Sequence, residues 1–182
     1  SMLPTSAMRD SRLTEQRNPR SSGIDELHAL GIVDLINAED RLVASAVGAE
    51  REAIAHAIEL VEAAFRAGGR LIYVGAGTSG RLGVLDAAEM PPTFGTDPAM
   101  VRGIIAGGYE ALVRAQEGAE DVSEDGGAAT DEIEVGAHDF VLGIATSGTT
   151  PYVHAALARA QERGAKTGFL LCTNPSQELL DR

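Results

Sequence analysis

The rhythm of apolar residues along the chain changes at the pair Gly68 and Gly69. Before that pair they recur at helical spacing. Leu27, Leu30, Ile32, Val33 and Ile36 predict a first helix over 25–36. Leu42, Ala46, Ala49, Ala53, Ala57, Leu60, Val61 and Ala64 form the stripe of a longer one over about 38–66, with Gly48 as its weak point and the glycine pair as its stop. After the pair the apolar runs are short and unbroken, at 71–74, 101–106, 140–145 and 167–171. Runs of that kind suit strands covered on both faces. Helical stretches fall between them, at about 79–89, 109–116 and 151–163. Strands that alternate with helices need crossover connections, which predicts an α/β fold with a doubly wound parallel sheet. Ligands of such sheets sit beyond the carboxyl ends of the strands, so the turns after Val74 and after Ile144 are the ones to inspect. The expected organisation is a polar segment at 1–22, an N-terminal helical arm at 23–68, and the α/β domain at 69–182. Four strands make a thin sheet for this class, so the reading expects a chain truncated at its C-terminus, inside that domain.

Composition narrows the function. Of the 182 residues 44% are apolar and 23% charged, which excludes wholesale disorder. Acidic residues outnumber basic ones by 27 to 15, for a net charge of −12, and that argues against a nucleic-acid groove. No apolar run approaches the length of a membrane span. Arg9, Arg12, Arg17 and Arg20 have no apolar core between them, unlike a secretory signal, and the single cysteine makes a reducing compartment the plainer expectation. A lone cysteine, Cys172, excludes an internal disulfide framework and reads as packing at the end of a buried strand. His28, His56, His138 and His154 have no metal-ligand spacing, and none is given a metal role.

The first turn, Gly75-Ala76-Gly77-Thr78-Ser79-Gly80, fits G-x-G-x-x-G between a strand and a helix. A dinucleotide site would also need a carboxylate at the end of the second strand, where this chain has Ala106-Gly107-Gly108. A P-loop would need a lysine, and Arg81 follows the last glycine instead. What remains is Gly77, Thr78, Ser79 and Gly80 at a helix start, a geometry that suits a phosphate. A plain turn with Ser79 as N-cap is the rival account. In the second turn Thr146, Ser147, Gly148, Thr149 and Thr150 precede Pro151, which is more hydroxyls than capping requires. Two such turns on one sheet edge can converge on a phosphorylated small molecule.

Carboxylates are the candidate acids and bases. Asp86 and Glu89 share a helix face, and Pro91 and Pro92 are expected to stop that helix near Glu89. A carboxylate at a helix C-terminus suits a poised acid. Glu117, Glu120, Asp121, Glu124 and Asp125 form a dense acidic segment that by composition is a hydrated face or a mobile loop.

Several motifs together resemble one family. Thr14-Glu15-Gln16-Arg17-Asn18-Pro19 and Ile24-Asp25-Glu26-Leu27 are similar to the start of the N-acetylmuramic acid 6-phosphate etherases, and RLIYVGAGTSGRLGVLDAAEMPPTFG, over 70–95, resembles their most specific signature. Further matches are Glu117-Gly118-Ala119-Glu120-Asp121, Ser147 through Val153, and Cys172-Thr173-Asn174-Pro175. The resemblance implies a sugar isomerase (SIS) domain acting as a homodimer with sites near the interface and no metal or organic cofactor. It implies cleavage of the D-lactyl ether of N-acetylmuramic acid 6-phosphate during cell-wall recycling in the bacterial cytoplasm. By the same resemblance Glu89 matches the principal acid/base, Glu120 the second catalytic glutamate, and Gly77, Thr78, Ser79, Gly80, Ser147, Gly148 and Thr150 the phosphosugar-binding residues. The chain departs from the pattern at Thr149, where the family commonly has arginine. Two rival functions use the same domain: a non-catalytic phosphosugar-binding regulator similar to the glucokinase regulatory protein, and an aldose-ketose isomerase. The isomerase would leave the segments around Glu89 and Glu120 unexplained, and a regulator would not need both glutamates.

Overall fold

The computed structural model describes residues 13–176, which form two units divided after His56. In the first, 3-10 turns at Leu13–Glu15, Pro19–Ser21 and Ile24–Glu26 lead into α1 (Ala29–Ala49). The Asn18 amide donates to Glu39 on α1 at 2.7 Å, and the Arg20 guanidinium reaches the same carboxylate at 3.0 Å. His28 caps α1, its Nδ1 accepting the Gly31 N–H at 2.9 Å. The break expected near residue 37 is absent. Asn37 instead accepts from Arg41 at 2.8 Å, a one-turn pairing that supports a helix, and the interruption falls at Glu50, before α2 (Arg51–Arg66).

The second unit holds β1 (Leu71–Gly75), α3 (Gly77–Phe94), β2 (Val101–Ile105), α4 (Glu110–Val113), α5 (Ser123–Glu132), β3 (Phe140–Ile144), α6 (Pro151–Glu162) and β4 (Lys166–Leu170). All strand pairs are parallel, in the order β2-β1-β3-β4. Alternation along each strand sorts the core into two layers. Ile72, Val74 and Val141 pack with Val153, Ala156, Leu157 and Ala160 of α6. Leu71 and Phe140, with half-buried Tyr73 and Leu142, pack with Ala87 of α3 and Leu60, Ala64 and Phe65 of α2. Helices therefore cover both faces, and the doubly wound reading holds. Among the described residues no helix is long and apolar enough to cross a membrane.

Three expectations are amended. Of the two readings of the acidic segment the hydrated face holds, its carboxylates being exposed, and the loop does not: the segment forms a 3-10 turn at Ala119–Asp121 and the first turn of α5. Glu124 and Asp125 there face the positive end of a helix dipole. Cys172 is exposed, because β4 is an edge strand that ends at Leu170. Finally, α3 runs through Pro91 and Pro92 to Phe94, where left-handed Gly95 (φ 68°) closes it by donating to the Pro91 carbonyl at 2.8 Å. Proline already has the helical φ, and what it removes is the N–H that would reach the carbonyl one turn back. The carbonyls four residues back are those of buried Ala87 and exposed Ala88.

Gly126 explains why α5 is hard to foresee. Glycine disfavours helices, yet a Cβ at Gly126 would stand 2.1 Å from the Tyr152 carbonyl oxygen of α6. The two backbones touch there. Gly126→Ala is expected to lower stability by about 1–3 kcal/mol despite its better helix propensity. Gly127→Ala, which meets nothing within 4 Å, should raise stability by up to about 1 kcal/mol. Thermal melting of the two variants checks the pair; equal shifts would refute the close packing.

The edge of the sheet opposite the two turns is fastened by a buried ion pair. Asp139, 5% exposed, accepts from the Arg70 N–H at 2.8 Å, from its Nε at 3.1 Å and Nη2 at 2.7 Å, and from the Gly136 N–H at 2.9 Å. Arg70 also donates to the carbonyls of Ile133 and Glu134, both at 3.0 Å. The pair holds the start of β1 beside the start of β3, and so fixes the register that aligns the far ends of those strands.

Candidate functional site

Strand order reverses its direction of growth at β1, with β2 on one side and β3 on the other. A crevice opens beyond the carboxyl ends at such a switch point. Gly75 and Ile144, the last residues of β1 and β3, are register partners, so the chain leaves the sheet twice within one strand spacing of about 4.8 Å.

The first exit is abrupt. Ala76 is the N-cap of α3 and Gly77 (φ 52°) its first residue, so the glycine turn is itself the first turn of the helix. The Gly80 N–H bonds the Ala76 carbonyl at 3.1 Å, which leaves the amides of Gly77, Thr78 and Ser79 ahead of the intrahelical ladder at the positive end of α3. No side chain caps them, so Ser79 is not the N-cap that the plain-turn account requires. Gly80 answers to packing: a Cβ there would lie 2.6 Å from Ile105 Cγ1 and 2.8 Å from the Gly75 oxygen.

The second exit is held by bonds from several directions. The Ala145 N–H donates to the Leu170 carbonyl at 3.1 Å, and the Cys172 N–H to the Thr146 carbonyl at 3.0 Å. Gly148 is left-handed (φ 73°), and the hydroxyls of Ser147 and Thr149 meet at 2.8 Å. Thr150 is the N-cap of α6, yet its side chain makes no capping bond. Capping therefore does not account for the hydroxyls of this turn. Behind it Tyr152 is buried, and burial, with Asp125 and Glu132 nearby, pushes its phenol up to about 12.

The two glutamates are distributed differently. Glu120 follows Ala119, which packs against the same core cluster as Ala76 of the first turn, and α5 then carries the chain away toward the start of β3. The Glu120 side chain is exposed. Glu89 is exposed on α3, about 14 Å along the axis from Gly80 at ~1.5 Å per residue. Within one chain Glu89 is not brought to the turns. The helix-end argument for a poised acid at Glu89 also lapses, since α3 continues past it.

Sequence reasoning missed two polar contacts here. Tyr73 donates to Asp86 at 2.7 Å from β1 to α3, and burial followed by that carboxylate raises its pKa. His154 on α6 bonds the Gly148 carbonyl at 2.6 Å. Tyr73 was hidden inside an apolar strand run and His154 inside a helical stretch, where neither pairing leaves a sequence signal. Among the described residues no group of three or more His, Cys, Asp and Glu is placed to hold a metal ion.

A parallel sheet with two hydroxyl- and glycine-bearing turns at its switch point defines a SIS-type domain. Residues 53–161 match the family model described as the glucokinase regulatory protein N-terminal SIS domain, and the chain belongs to that family. Among curated proteins it is similar to the N-acetylmuramic acid 6-phosphate etherase of Synechococcus elongatus, 56% identical over 176 residues, covering 97% of this chain and 57% of the relative. The etherase of a Picosynechococcus species is 56% identical over 91% of this chain and 55% of its own length, and that of a Synechocystis species 52% identical over 91% and 54%. The chain thus spans a little over half the length of the curated relatives it matches.

Proposed function

We propose that the full-length protein cleaves the D-lactyl ether of N-acetylmuramic acid 6-phosphate to N-acetylglucosamine 6-phosphate and D-lactate, in the cytoplasm. The observation that carries this reading is the pair of uncapped, hydroxyl-rich turns at adjoining strand ends, in a chain 56% identical to an etherase. In this reading the amides and hydroxyls of Gly77, Thr78, Ser79, Gly80, Ser147, Gly148 and Thr150 take the phosphate. With the sugar ring open, a base removes the proton beside the aldehyde, and the resulting enolate expels the lactyl oxygen as an acid protonates it. Water then adds to the carbon that carried the ether, and a proton returns beside the carbonyl, so the net change is hydrolysis. Glu89 serves as the principal acid/base and Glu120 in the addition of water.

The separation of Glu89 from the turns supports a homodimer in which the site draws on both subunits. Exposed apolar residues support it too: Leu82 and Leu85 are 56% and 57% exposed, on a groove of about 410 Å³ lined also by Thr78, Arg81, Ala88 and Leu112. The second reading is a phosphosugar-responsive regulator, favoured by the description of the matching family. Incubating the full-length protein with N-acetylmuramic acid 6-phosphate and measuring D-lactate separates the two. Lactate release is the expected result. Tight binding without lactate would transfer the assignment to the regulator.

A further inference from the structure

We propose that His154 is a positioning residue for the second turn, acting through the Gly148 carbonyl to set the groups that face the phosphate. The role in ligand binding rests on the phosphosugar reading above. His154 lies in the first turns of α6, and its Nε2 is 2.6 Å from the Gly148 oxygen. A carbonyl oxygen carries no proton, so Nε2 is the donor. Its ring meets Phe169 of β4 edge-on, at 5.4 Å between centroids and 81° between planes, which fixes the side chain that delivers the bond.

The peptide between Gly148 and Thr149 belongs to neither a strand nor a helix, and Gly148 is in the left-handed region that only glycine enters without cost. Because the peptide is planar and trans, its C=O and N–H point in opposite directions. Drawing the carbonyl toward His154 therefore turns the Thr149 N–H the other way, to the side where Ser147 Oγ accepts it at 3.4 Å. That oxygen is also the one 2.8 Å from the Thr149 hydroxyl. One imidazole thus sets a backbone amide and, through it, two hydroxyls. An apolar side chain could pack on Phe169 equally well. What histidine adds is the donor.

The test uses the full-length protein with two variants. His154→Phe keeps a ring against Phe169 and removes the donor, whereas His154→Gln keeps an N–H at similar reach and removes the ring. Calorimetric titration with N-acetylglucosamine 6-phosphate is expected to show binding weakened about five- to tenfold in His154→Phe, the loss of one hydrogen bond, and restored to within about twofold in His154→Gln. Amide exchange at Thr149 in the unliganded protein should accelerate in the first variant and recover in the second. Unchanged affinity and exchange in His154→Phe would overturn the proposal, as would a glutamine variant no better than the phenylalanine one, which would make ring packing the whole role. If the wild type binds no phosphosugar, the phosphosugar reading fails, while exchange at Thr149 still decides whether His154 orients the turn.

Discussion

Replacing Glu89 by glutamine in the full-length protein is expected to cut D-lactate release by about 10²- to 10⁴-fold, the range that one positioned acid or base supplies. Glutamine preserves size and hydrogen bonding but cannot exchange a proton. Glu89 is exposed and stands well away from both turns within its own chain, so N-acetylglucosamine 6-phosphate should bind the variant nearly as well as the wild type. Turnover and product affinity, measured side by side, check both halves of the expectation. Retained turnover would remove Glu89 from the reaction. Lost affinity with unimpaired turnover at saturation would make it a binding residue instead. The exposure of Glu89 adds a sharper form of the test. If a partner subunit brings Glu89 to the phosphate-binding turns, mixing Glu89→Gln chains with chains disabled at Ser147 should restore some activity in mixed dimers.

The second large effect concerns stability. Asp139→Ala is expected to cost about 3–5 kcal/mol, because removing one member of a buried pair leaves the Arg70 guanidinium partly enclosed, its charge uncompensated. The pH dependence follows from the direction of the shift. Burial alone would raise the Asp139 pKa, but the bonds from Arg70 and Gly136 outweigh it and hold the carboxyl below its ordinary value. A group whose pKa is lower in the folded state contributes its full stability above the unfolded pKa, about 3.9 for aspartate, and loses it as pH falls through the folded value. Urea midpoints at pH 7 should therefore separate wild type from Asp139→Ala by the full amount, and the gap should shrink below pH 4. A gap that stayed constant at low pH would mean that packing, not the charge, makes the contribution. Since Asp139 begins the alignment of β1 with β3, phosphosugar affinity should weaken in the variant before global unfolding does.

The sheet and its chemistry were legible in the sequence to different degrees. Unbroken runs such as those that begin at Leu71 and Phe140 gave away buried parallel strands, since a strand covered on both faces needs apolar residues at every position. The turn motifs were legible because glycines and hydroxyls between such runs have few other uses. Helix limits were not. Pro91 and Pro92 read as a stop, but α3 passes through them, since proline's own φ is helical and left-handed Gly95 is what closes the helix. The two glycines near the start of α5 disguised a helix, because the gain at Gly126 lies in contact with α6, far along the chain. Cys172 read as buried because a strand was taken to be central, and strand order is a long-range property.

What the sequence determined by itself was therefore local or periodic: strand after helix after strand, the glycine and hydroxyl turns, and the glutamates that the resemblance singles out. The tertiary structure alone decided that the ends of β1 and β3 are neighbours, that α5 meets α6 backbone to backbone at Gly126, and that His154 reaches the Gly148 carbonyl. The physical reason is range. Propensity and periodicity act over a few residues, whereas those three outcomes follow from strand order and backbone contact between segments that only packing brings together.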